Sequence, residues 1–174
     1  MQLQLEQVRL KPCRWEETRS IPAERLESPE VSELSEVVWS GEISYAAPGF
    51  RLSGRIAYEQ TVSCMRCLKP VVEAVENEVE LIIFLEKADT SPGEHELGAS
   101  DLGVMFLDSE VLELDDVLFE QLELNVPMST VCRQDCLGLC PVCGADRNLQ
   151  ECECDRSDTD PRWAQLKQIK DDLQ

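Results

Sequence analysis

Six cysteines fall within the 24 residues from Val131 to Cys154, in a stretch without strand or helix periodicity. A segment so poor in apolar side chains keeps a fixed shape only if something other than burial holds it, and clustered thiols hold a metal. Two of the six belong to Cys140-Pro141-Val142-Cys143-Gly144, and a second C-x-x-C, Cys64-Met65-Arg66-Cys67, lies far upstream. Cysteines three apart place both sulfurs on one ion when the chain turns tightly between and after them. Amides in that turn can then point at the thiolates and stabilise their charge. Gly144 permits the positive backbone angle that such a turn often needs. Cys132, Cys136 and Cys140 are spaced by four, and Cys152-Glu153-Cys154 adds a C-x-C.

Cys13 stands apart and reads as a free thiol. The remaining eight, Cys64, Cys67, Cys132, Cys136, Cys140, Cys143, Cys152 and Cys154, match two complete four-thiolate shells. One tetrad over the C-terminal cluster is the minimum expectation, with Cys64 and Cys67 also binding metal. Spacing leaves the pairing open. The two C-x-x-C turns can share an ion as in a zinc ribbon, or Cys64/Cys67 can pair with Cys132/Cys136 and leave Cys140, Cys143, Cys152 and Cys154 for a second ion. The N-terminus MQLQLEQVRL lacks the basic-then-apolar pattern of an export signal. The expectation is therefore a cytoplasmic protein, where thiols ligate metal in preference to forming disulfides. Thiolates in surplus fit one or two structural zinc ions, with an iron–sulfur cluster as the lesser alternative. A catalytic zinc keeps one position open beside a His or carboxylate ligand. Here the one histidine, His95, sits in a polar loop far from the cysteines. With no Gly-rich phosphate loop, nucleophile elbow or HExxH, the chain is expected not to be an enzyme.

The 174 residues are 43% hydrophobic, enough for a real core. The longest apolar run, Leu81 to Leu85, is far short of a membrane span. Met1 to Leu10 reads as a short strand and Lys11 to Pro29 as a polar connection. Three strands of an antiparallel meander follow, over Glu36–Tyr45, Phe50–Val62 and Val71–Leu85. Phe50, Leu52, Ile56 and Tyr58 share one face of the second, and Gly54 is read as a break in the opposite row, at a possible bulge. Val71, Val75, Val79, Leu81 and Ile83 share a face of the third, with Glu76, Glu78 and Glu80 opposite. A polar loop over Lys87–Leu102 precedes a short hairpin of Val104–Leu107 with Val111–Leu114. A helix capped by Asp115 or Asp116 then buries Val117, Leu118 and Leu122 and ends at Asn125 and Pro127. Asp160-Pro161 opens a last helix striped by Trp163, Leu166, Ile169 and Leu173. The expected class is α+β: an antiparallel meander or partial barrel over 1–130 with one packed helix. A Cys-rich zinc-binding segment and terminal helix over 131–174 pack on it.

The formal net charge is −19, and Val71–Met128 alone holds sixteen acidic residues against one basic, Lys87. Such a surface repels phosphate backbones and attracts basic partners. Arg66, Lys69, Arg133 and Arg147 lie at or beside the cysteine turns, and folding around zinc can gather them into one small basic patch. They are the candidate RNA or partner contacts.

Together these residues resemble the YceD family of large ribosomal RNA subunit accumulation proteins. The likeness runs from about Glu36 to Leu173 and rests on S-C-M-R-C-L at Ser63–Leu68, V-C-R-Q-D-C-L-G-L-C-P-V-C-G at Val131–Gly144, C-E-C at Cys152–Cys154 and D-P-R-W-A-Q-L at Asp160–Leu166. The resemblance implies a bacterial or plastid protein needed for normal levels of large-subunit ribosomal RNA, through its synthesis, processing or stability. Given the acidic surface, the expected partner is a basic ribosomal protein or assembly factor, with ribosomal RNA as the other route. No membrane and no small-molecule substrate are expected. An alternative reading is a redox-responsive protein whose thiolates release zinc on oxidation.

Overall fold

Long runs of alternating apolar and polar residues dominate the middle of the chain, and they fold as three long antiparallel strands. In the computed structural model, which describes residues 1–85 and 103–155, these are β4 (Glu36–Ala46), β5 (Gly49–Ser63) and β6 (Pro70–Leu85). Around them lie β1 (Gln2–Gln4), α1 (Leu5–Leu10), β2 (Cys13–Ser20), β3 (Val31–Leu34), β7 (Val104–Leu107), β8 (Val111–Glu113) and α2 (Leu114–Leu124). Six strands make an open sheet in the order β2-β4-β5-β6-β7, with β3 pairing β5 beside β4, and β1 pairs β8 in a separate two-stranded sheet. The class is α+β, as expected, mostly sheet with few helices and cysteine clusters toward the C-terminus.

One face of the sheet is the core. Trp39, Ile43, Phe50, Leu52, Ile56, Tyr58, Val62, Val79 and Ile83 are buried in one cluster with Leu114, Val117, Leu118 and Leu122 of α2 and Leu5 and Val8 of α1. The even spacing along β5 and the i, i+3, i+4 spacing along α2 are what put these side chains together.

Several local expectations change. Only Gln2–Gln4 of the first ten residues is strand; Leu5 and Val8, three apart, turn inward from one face of α1, and Leu10 is left exposed. The polar stretch after Lys11 holds β2, an edge strand whose one fully buried side chain is Trp15, which is why it looks like a loop. Val104–Leu107 and Val111–Leu114 do not form a hairpin: β7 lies parallel to β6, while β8 pairs with β1. Helix α2 starts two or three residues earlier than expected, at Leu114, with Glu113 at the cap and no side-chain cap bond. Asp115 and Asp116 instead sit in the first turn, where the helix dipole favours anions. Asp115 accepts from the N-terminal amine at 2.6 Å and from Arg19 at 2.9 Å, and the amine's hydrogen bond leads in holding its carboxyl below the usual range. The Lys87–Leu102 loop with His95 and the helix from Asp160 lie outside the described residues.

Gly54 is not at a bulge. Its register with Gly41 runs unbroken, and it belongs to the same row as Leu52 and Ile56. A Cβ on Gly54 would stand 3.0 Å from Cη2 of Trp39, and one on Gly41 2.5 Å from Cζ2 of Trp15. The two glycines thus vacate the sheet surface for two indole rings whose centroids are 5.4 Å apart.

The chain divides into two compact units. The first is Met1–Ser63 with Pro70–Thr130; the second joins the β5–β6 turn, Cys64–Lys69, to the chain from Val131 onward.

Gly41→Ala forces a methyl group against Trp15 and the Ser53 carbonyl oxygen, 2.7 Å away. Urea unfolding of this variant should show a loss of about 1–3 kcal/mol; an unchanged midpoint would mean the ring and strand yield freely.

Candidate metal centres

The two C-x-x-C turns are the same structure built twice. In the first, the Leu68 N–H donates to the Cys64 carbonyl at 2.9 Å and the Cys64 N–H to the Lys69 carbonyl at 2.8 Å. In the second, the Gly144 N–H donates to the Cys140 carbonyl at 2.9 Å and the Cys140 N–H to the Ala145 carbonyl at 2.8 Å. Both turns need a left-handed residue after the second cysteine, and it is Gly144 at φ 74° in one and Leu68 at φ 60° in the other. Leucine there carries a conformational cost of about 1–2 kcal/mol that glycine does not.

Eight cysteines gather into two groups, Cys64, Cys67, Cys132, Cys136 and Cys140, Cys143, Cys152, Cys154, with the sulfurs of each within 4.8 Å of one another. This is the second of the two pairings that spacing left open; the ribbon-like pairing of Cys64/Cys67 with Cys140/Cys143 is not formed. Cys13 lies in β2, partly buried, outside both groups, and none of the nine cysteines is in a disulfide. Four sulfurs at tetrahedral zinc distances are about 3.8 Å apart, and Cys67 Sγ is 3.6 Å from Cys132 Sγ. The donor set fits a four-thiolate ion in both places.

The thiols also show why a cation belongs there. The Cys132 N–H, then the Cys67 N–H, draw the Cys64 thiol down to about 6. The N–H groups of Cys143 and Val142 draw Cys140 down to about 6. Each group therefore has an amide-supported thiolate, and in the first Cys136 is lowered as well, desolvation being outweighed by the Gly138 N–H and Asn148. Their neighbours hold their protons: desolvation, then hydrogen bonding within the group, pushes Cys132 up to about 12. A hydrogen bond with Cys143, then desolvation, does the same for Cys154. A dication displaces those protons, so metal affinity falls as pH falls. Cys64, Cys67 and Cys136 are buried in the first group; in the second only Cys140 is, and Cys143 is exposed.

Polar side chains brace the first group. Asn148 Nδ2 donates to Cys136 Sγ at 3.5 Å and to Asp146 Oδ1 at 2.7 Å, while its Oδ1 accepts from the Leu137 N–H at 2.9 Å and from Arg133 at 2.8 Å. Asp146 in turn pairs with Lys69 at 2.7 Å, and that bond leads in lowering its carboxyl to about 2. Arg66 Nη1 donates to the carbonyls of Gln134 and Cys136, at 3.1 and 2.9 Å, and Arg147 donates to the Leu137 carbonyl at 3.3 Å. Arg133 also pairs with Asp135 at 3.3 Å. All four sequence-nominated cations thus hold the cysteine loops. Asp146 and Asn148 escaped sequence reasoning; the available signal was two backbone-bonding residue types just beyond a knuckle glycine.

The family described as large ribosomal RNA subunit accumulation protein YceD matches residues 52–170. The chain belongs to the YceD family. Uncharacterised proteins of Mycobacterium tuberculosis and Mycobacterium bovis are 31% identical to this YceD chain over 129 residues, 73% of its length. It spans 58% of their length. The chloroplastic large ribosomal RNA subunit accumulation protein YCED homolog 1 of Arabidopsis thaliana is 23% identical over 145 residues, 71% of this chain and 45% of that protein. No solved structure matches it. No helix among the described residues is long and apolar enough to cross a membrane.

Purified without chelator, this YceD protein should carry about two zinc ions per chain, and about one after Cys64→Ser with Cys67→Ser; elemental analysis reads both, and an unchanged count would detach that turn from metal. Asn148→Leu removes the donor to Cys136 and should weaken the first site about 10–100-fold in competition with a chromophoric chelator, leaving the second unchanged.

Proposed function

We propose that this chain supports accumulation of large-subunit ribosomal RNA without catalysis, by docking a basic ribosomal protein or assembly factor in the cytoplasm. Zinc in both four-cysteine groups shapes its second unit. Family membership supports the ribosomal role. The choice of a protein over bare RNA rests on one observation: Arg66, Lys69, Arg133 and Arg147 are already bonded to carbonyls, carboxylates or amide oxygens of their own unit. Among the described residues of that unit this leaves little convergent positive charge for a phosphate backbone, which RNA binding requires. Two four-thiolate zinc ions add −4 to the formal −19, so metal loading strengthens the preference for a basic partner. Closed shells of four protein ligands are structural and keep no position open for a substrate.

A second reading, release of zinc on oxidation, draws on the exposure of Cys143 and the partial exposure of Cys152 and Cys154. In the first group only Cys132 is exposed, so the second group is the more open to it.

In a sucrose gradient of cell extract, the protein should travel with large-subunit precursors and remain with a basic protein after nuclease digestion. Migration solely as a free monomer would defeat the proposal, and loss of every partner on nuclease treatment would transfer it to RNA.

A further inference from the structure

Strand β7 ends the six-stranded sheet, so its second edge pairs with no strand among the described residues. Natural edge strands are guarded by lysine, proline, charge or a bulge. This one reads Val104-Met105-Phe106-Leu107, with Phe106 63% exposed, and has none of those guards. Strand β8 pairs only with β1, so its second edge is likewise without a strand among the described residues. Between the two edges and α2 runs a groove of about 320 Å³. Met105, Leu107 and Val117 give it apolar walls, and Glu113, Asp116 and Glu120 give it carboxylates.

Charge singles this groove out. No lysine or arginine lines it, and residues 103–120 contain six acidic residues and no basic one. Asp116 and Glu120 have no ion-pair partner among the described residues, and Glu113 meets only the neutral amide of Gln2. The outer face of the sheet is acidic too, but there Arg51 pairs with Glu80 and Arg55 with Glu76. Its charge is largely answered from within; the groove's is not.

We propose that this groove receives an extended lysine- and arginine-rich segment of a partner protein, which adds as a strand along β7. Backbone groups of the segment complete the open edge, alternate apolar side chains meet Met105, Leu107 and Val117, and the intervening cations meet Glu113, Asp116 and Glu120. The proposal rests on the reading of a basic protein partner given above and names the surface that would hold it.

A fluorescein-labelled peptide of alternating lysine and valine, seven residues long, serves as probe against the zinc-loaded full chain at about 0.15 M salt, where distant surface charges are screened. Anisotropy should show binding that Asp116→Lys with Glu120→Lys weakens about tenfold or more. Glu76→Lys with Glu80→Lys, the same change of charge on the outer face, should stay within about twofold. Asp116→Asn with Glu120→Gln, gentler on the helix, should weaken binding in the same direction. Hydrogen exchange should slow at the β7 amides when peptide is present. Absent binding, equal loss in both lysine variants, or no slowing at β7 would each overturn the groove. Gradient sedimentation separates the two claims. If the groove variants travel with large-subunit precursors as well as the parent does, the groove fails and the broader reading stands. If the parent itself stays free, the broader reading fails.

Discussion

Four sulfurs held within 4.8 Å of one another cannot all carry negative charge unless a cation sits among them. That repulsion governs the second unit. Backbone amides support thiolates at Cys64, led by the Cys132 N–H, and at Cys140, led by the Cys143 N–H, and the price is paid by neighbours such as Cys132 and Cys154, which keep their protons. A dication reverses the balance and turns repulsion into ligation. Around the first group the chain adds Asn148, Asp146, Lys69 and Arg66, which tie to one another, through hydrogen bonds, loops that leave apolar side chains such as Leu68, Leu137 and Leu149 exposed. These side chains orient the cysteines; an ion held in the group would supply the energy that a small apolar core supplies elsewhere.

The first unit is held by different means. Its sheet turns one apolar face toward α1 and α2, and its two largest rings, Trp15 and Trp39, lie over positions that Gly41 and Gly54 leave bare. Sheet packing here depends as much on missing side chains as on present ones. The carboxylates that give the chain its charge are excluded from that interior and concentrate on the outer face of β6 and around α2. A fold with such a surface is driven by its core alone and keeps its charge available for association.

Much of this was legible from residues. The even spacing of Phe50, Leu52, Ile56 and Tyr58 gave the buried face of β5, and Val117, Leu118 and Leu122 gave that of α2. The set of eight clustered cysteines was legible as well, because thiol density in a stretch with no strand or helix periodicity has few physical explanations. Their partition was not, since each C-x-x-C is locally complete and spacing carries no long-range information. β2 was hidden because an edge strand can be polar on nearly every side chain and still pair along its whole length. α1, six residues long, is too short to declare itself by propensity and exists because burial of Leu5 and Val8 specifies it. The parallel pairing of β7 was out of reach for the same reason as the cysteine partition: both are set by distant chain.

The separation of the ligands along the polypeptide has a consequence for biosynthesis. The second centre is complete within the segment Cys140–Cys154, so it can load as soon as that segment leaves the ribosome. The first joins Cys67 to Cys132 across 65 positions, and its closure costs about 1.5–2 kcal/mol more in chain entropy if nothing else shortens the loop. The intervening polypeptide, from Pro70 to Thr130, is itself part of the other unit. Formation of the sheet shortens the path between these ligands, and a chain stalled before Cys136 would carry an incomplete ligand set exposed to scavenging by other metals or oxidants.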